Sequence, residues 1–348
     1  MSPLRCVDRR RRSREIIALT TAFSAALVVG LTGCSSSDEP DVQVVPPATA
    51  AESPPLAAAP EGDIIPLDLP VTATAFDSGT ESLVLLSGHE LVYFSPAADA
   101  PDNVNRVTLP SAGSDLALDG QGHALIAAGD SIAQVDLSSG DVGFLPLGND
   151  EDGGAEFTAV TAFGDGSIVA GTADGAVLTE GRSVPGLVSA DVVIASGEHL
   201  AVIDRRQSMI AEVFPDRETR GFALRAGNGA TNAATDGRGR VFVANTRDGE
   251  LLVYSLDRLV LRQRYPVPDS PYGIAYDAGN ELVWVTQTGL NEVAAYVLDT
   301  GIPVEVARYA TVQQPDSVAV DSAGGYLYVS SGTGGGVQRI QLEAPDED

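Results

Sequence analysis

One short pattern recurs seven times along this chain and restricts its fold before any other feature does. The clearest copy reads Pro271-Tyr272-Gly273-Ile274-Ala275-Tyr276-Asp277, then Glu281-Leu282-Val283-Trp284-Val285-Thr286, then Asn291-Glu292-Val293-Ala294-Ala295-Tyr296-Val297-Leu298-Asp299. Each copy holds three short strands separated by turns. The glycine opening the second strand marks every unit: Gly79, Gly122, Gly166, Gly197, Gly239, Gly279 and Gly324, in steps of 43, 44, 31, 42, 40 and 45 residues. Asp119-Gly120-Gln121-Gly122 and Asp236-Gly237-Arg238-Gly239 are the cleanest turns. Glycine accepts positive φ and aspartate bonds back to its own backbone, so this punctuation has a mechanism. Repeats near forty residues belong to radial or stacked architectures.

Between the turns, Val, Leu, Ile, Tyr and Ala run in strand-length segments such as Leu251-Leu252-Val253-Tyr254, and no sustained helical period appears after residue 34. The expected fold is all-β: a seven-bladed β-propeller, four strands to a blade, over residues 63–343. The seventh unit ends at Val337-Gln338-Arg339-Ile340-Gln341-Leu342 without an outer strand, before an acidic tail over 344–348. Asp63-Ile64-Ile65-Pro66-Leu67-Asp68-Leu69 precedes the first unit and has no role in it. It is therefore expected to complete the last blade, and Pro66 suits an edge position. The 31-residue step requires a short outer strand within Arg182 to Ser189; an eight-bladed or irregular six-bladed ring is the alternative.

Residues 1–33 read as a processing signal. Arginines at 9–12 and 14 precede an apolar stretch from Ile16 to Leu31, shorter than the about 20 residues that span a membrane. The stretch ends in Leu31-Thr32-Gly33-Cys34, which resembles a bacterial lipobox. That resemblance implies lipid (palmitate-type) modification of Cys34, which would anchor the protein on the extracytoplasmic face of the cell membrane. Residues 34–62, rich in Ser, Pro and Ala, are expected to form a disordered tether.

The formal charge is -27, with no lysine among the 21 basic residues. Removing the signal, with six arginines and two acids, takes it to -31. Such a surface repels phosphate backbones, so nucleic acid is not an expected partner. Arginine without lysine beside abundant Ala and Gly suggests a GC-rich genome such as an actinobacterium's. The only cysteines are Cys6 and Cys34, which leaves the ring without a disulfide or a free thiol.

The pattern Pro-x-x-Ile/Val-Ala-x-Asp, Leu-x-Val, Val-x-x-x-x-Leu resembles the repeat of YVTN/NHL-type seven-bladed propellers, best over 271–299 and 315–342. Asp299 to Glu305, Tyr309, Thr311 to Pro315 and Gly249 to Tyr254 resemble actinobacterial lipoproteins of the LppL type. This likeness implies fold and envelope location, and almost nothing about chemistry.

Catalytic signatures are weak. Trp284 is the one tryptophan and reads as core, where quinone-cofactor propellers carry one per blade. His89, His123 and His199 occupy unlike positions in different units and should not converge. The loop Asn149 to Gly154 is dense in carboxylates but lacks calcium-loop spacing. Asn232 and Asp316 faintly resemble motifs of sugar-lactone hydrolase propellers, which would make Asp115, Asn232 and Asp316 a divalent-cation set.

Propeller geometry supplies the remaining candidates. Inner strands start near the axis on one face, which brings Ser114, Asp115, Asp191, Thr231, Asn232, Tyr272 and Asp316 to the channel mouth. Loops between second and third strands add Arg205, Arg206, Arg247, Gln287 and Asn291. The leading expectation is a lipid-anchored binding module for an envelope protein or a polar small ligand, without a cofactor. The alternatives are a metal-dependent hydrolase of the sugar-lactonase type and a small-ligand receptor at the mouth.

Overall fold

In the computed structural model, residues 44–96, 103–148 and 154–342 are described. Signal, Cys34, tether residues 34–43, most of the acidic loop and the tail lie outside them. The rest of the chain forms seven four-stranded antiparallel sheets and almost no helix, a single 3-10 turn at Pro215–Arg217 apart. In six sheets the four strands are consecutive in sequence. The seventh is assembled from both ends of the ring, with Asp63–Ile65 as the outer strand beside Val337–Gln341. Asp63 lies opposite Arg339, and Ile65 opposite Val337. The latch read from the sequence is therefore present, and Pro66 falls just beyond the end of its strand. The short third unit keeps its outer strand as Arg182–Val184.

Seven apolar clusters hold the ring, one in each gap between neighbouring blades. The strand period of two explains how one strand serves two gaps. In Ser82–Ser87, Val84 and Leu86 face the second blade, while Leu83 and Leu85 face the seventh. The second strand of each blade is thus buried on both faces and reads as a nearly unbroken apolar run. Trp284 belongs to the gap between blades six and seven, 1% exposed and stacked on Tyr309 with ring centroids 5.8 Å apart. Its core reading holds.

Residues 44–62 correct the tether reading over the part that is described. They are laid along the ring rather than free of it. The Val45 amide donates to Arg206 O at 2.8 Å, and Arg247 donates to Pro46 O at 2.9 Å. Ser53 is buried, 7% exposed, and bonded to the sixth and seventh blades. Composition missed this because the segment gains its order from polar groups of the ring, not from apolar area of its own.

Candidate functional site: the channel mouth

Five of the seven inner strands carry a register shift near their first residues: at Gly113/Asp115, Phe157/Ala159, Ala230/Ala233, Pro271/Ile274 and Pro315/Ser317. A bulge leaves one residue out of the ladder and re-aims its side chain. Asp115, Asn232, Tyr272 and Asp316 all sit at these irregularities, at the axial end where the sequence placed them.

These groups stitch blades together. The Val160 amide of blade three donates to Asp115 Oδ2 of blade two at 2.9 Å. Thr158 Oγ1 donates to Ala190 O at the start of blade four. Arg205 donates through Nε to Thr231 O at 2.6 Å and through its Nη2 to Asn232 Oδ1 at 2.8 Å. Its own amide donates to Asp191 Oδ2 at 2.8 Å, and the Ser189 hydroxyl donates to the same oxygen. Asn232 Nδ2 passes the chain to Tyr272 O of blade six at 3.1 Å. The Thr74 hydroxyl donates to Ser330 Oγ across the seam between blades one and seven at 2.7 Å.

Burial pushes the Asp115 carboxyl above the ordinary carboxylate range, against the opposing pull of the Val160 and Leu116 amides and the Arg205 charge. Burial likewise raises Asp316, opposed by one hydrogen bond from Gln314 Nε2 at 2.8 Å.

Several sequence candidates have other duties. Arg247 faces the segment 44–62: one Nη donates to Asn228 O and the other to Pro46 O. Gln287 lies fully buried, donating to Pro268 O and accepting from Arg308. Asn291 donates to Pro54 O and accepts from the Gln314 amide. Arg206 meets Val188 O through its side chain. Ser114 and His89 are exposed. His123 pairs with Asp119 at 2.6 Å and His199 with Asp257 at 3.3 Å, far apart in the ring as expected. The lactonase set is not assembled as a cage: Asn232 serves Arg205 and Tyr272, Asp115 serves blade three, and Asp316 serves Gln314. Among the described residues, no three His, Cys, Asp or Glu side chains gather at one point.

Of the residues that hold the strap, as residues 44–56 are called below, the sequence reading missed Ser270, Thr288 and Gln314. Gln314 binds it as another peptide unit would, donating to Ala51 O at 3.0 Å and accepting from the Ser53 amide at 2.9 Å. The Ser53 hydroxyl donates to Thr288 O at 2.6 Å and accepts from the Gln314 amide at 3.1 Å. Ser270 Oγ accepts from the Ala51 amide at 2.9 Å. Ser270, Asn291 and Gln314 all have positive φ, between 55° and 65°. Left-handed backbone at three non-glycine residues marks this face as built to a particular shape. The one sequence signal was a polar residue directly before Pro271 and Pro315.

No protein-family model matches the sequence, and no curated protein matches it. Solved structures do match in fold. The WD40 repeats of RRP9 superpose with a TM-score of 0.68 at 12% identity, over 83% of this chain and 100% of that one. The fold is a seven-bladed β-propeller. Hydrazine synthase from Kuenenia stuttgartiensis gives 0.64 at 15% identity, over 82% of this chain and 99% of that chain. A chain of the Mitotic Checkpoint Complex gives 0.65 at 10%, over 85% and 99%. At such identities the likeness is one of architecture alone.

Proposed function

We propose that this propeller is a lipid-anchored interaction module on the extracytoplasmic face of a cell membrane, held through Cys34, and that it binds an envelope protein. The observation that carries the binding reading is the state of the mouth. Its polar groups are partnered with one another from blade to blade, which makes a rigid frame rather than a set of groups poised to react. The anchor rests on the sequence at 31–34.

The strap begins a short way along the chain from the proposed anchor. Its first docked amide, Val45, comes 11 residues after Cys34. The proposed anchor and the first docked residue are thus close neighbours in sequence. The test is fractionation of cells expressing wild type and Cys34→Ala, with in-cell crosslinking of the wild type. Wild type should sediment with membranes and Cys34→Ala should be released. Equal retention of both would sink the anchor. A crosslinked catch holding only lipid-processing enzymes would sink the module.

A further inference from the structure

On the face opposite the strap, the seam between the first and last blades opens into a cavity of about 390 Å³. That is within the range of small-ligand sites. Phe76, Tyr326 and Tyr328 supply aromatic walls, and Glu81, Asp321 and Arg339 supply charge. The rings are locked in place: Phe76 stacks on Tyr328 at 5.6 Å, and the Arg339 guanidinium sits over Tyr326 at 5.6 Å.

The charges are unbalanced. Arg339 is already engaged, through one Nη with Pro96 O at 2.7 Å and through the other with Asp63 Oδ2 at 3.0 Å. Asp321 lines the cavity and uses Oδ1 to accept the Ala323 and Gly324 amides, while Oδ2 accepts no hydrogen bond among the described residues. Glu81 makes no hydrogen bond or ion pair among the described residues, and its φ of 52° fixes it at a tight turn on the cavity rim. Two carboxylates beside aromatic walls, with the local cation neutralised by Asp63, select a positive ligand with an apolar body.

We propose that this seam cavity binds a guanidinium or primary ammonium group, with Glu81 and Asp321 as its counter-charges and the Phe76, Tyr326 and Tyr328 rings along its carbon chain. The source is either a basic side chain of a protein partner or a free amine. Because Arg339 ties the cavity wall to Asp63 of the closing strand, an occupant bridges the two ends of the ring. The site does not depend on the lipid anchor.

Titration calorimetry on the full chain tests this with N-acetyl-argininamide, the uncharged isostere N-acetyl-citrullinamide, and cadaverine. The capped arginine or the diamine should bind saturably, and the citrulline compound should not. Capped arginine alone points to a side chain of a partner, and cadaverine alone to a free amine. Glu81→Gln and Asp321→Asn should each weaken binding about tenfold, the scale of one charged hydrogen bond. Asn at 321 keeps an acceptor for the turn amides, so folding is preserved, and a thermal melt checks that. Glu198→Gln, an exposed acid on the fourth blade, should leave affinity unchanged. Absence of binding by both cations, equal binding of the citrulline compound, or equal affinity in the Glu81 and Asp321 variants would overturn the proposal.

Discussion

Asp115 and Asp316 show how a single buried carboxylate sets a pH dependence. Burial raises both above the ordinary value of 3.8. A carboxyl with a raised folded pKa holds its proton more tightly in the folded state, so it favours folding at low pH. That contribution fades as pH climbs from 3.8 through the raised value. Asp115→Asn and Asp316→Asn should therefore flatten the fall in stability above pH 4 and leave neutral-pH stability equal or higher. Urea melts between pH 4 and 7 measure this; a steeper fall in the variants would contradict it. Asn can still accept from the Val160 amide, so the stitch between blades two and three survives. Ser53 behaves oppositely. Replacing it with Val strips a donor from buried Thr288 O and an acceptor from the Gln314 amide. The loss should be about 1–3 kcal/mol of docking stability. It should be read as faster amide exchange at Ala51 and Ser53, and unchanged protection there would refute the strap's dependence on that hydroxyl.

Among the elements, strands and turns were legible and the strap was not. The strands announce themselves because each second strand is buried on both faces, so Leu83 to Leu86 or Val241 to Ala244 read as unbroken apolar runs. The axial ends of the inner strands were legible too, since the turn glycines fix where each strand must begin; hence Asp115, Asn232, Tyr272 and Asp316 could be placed. Arg247 and Gln287 could not, because which way a loop side chain turns depends on what docks beside it, and the docked element is a Pro/Ala segment with no period. The latch is the element most open to a test. Ile65 is fully buried among residues of blades one and seven, and Ile65→Ala should cost about 2–5 kcal/mol. At Gly62, φ is +73° and an added Cβ would meet Arg339 O at 2.3 Å. Gly62→Ala should lower the melting temperature without touching any blade core. A melt unchanged by both substitutions would mean the ring closes without this strand.

At the scale of the whole molecule, stability is divided among seven similar gaps rather than gathered in one core. Loss of any gap leaves two blades with an unpaired apolar face, so unfolding should be a single cooperative event. Calorimetry of the full chain should give one transition, and a separate early transition would show that the gaps are not coupled. The closing pair Ile65 and Val337 is separated by nearly the length of the ring. This has a consequence for biogenesis. A chain made from its amino end has its first strand ready at once, yet that strand has no partner until the last blade is complete. A product terminated early would keep an open edge and an exposed hydrophobic gap, which proteases and chaperones can recognise. Closing the circle thus doubles as a check that translation has run through the last blade.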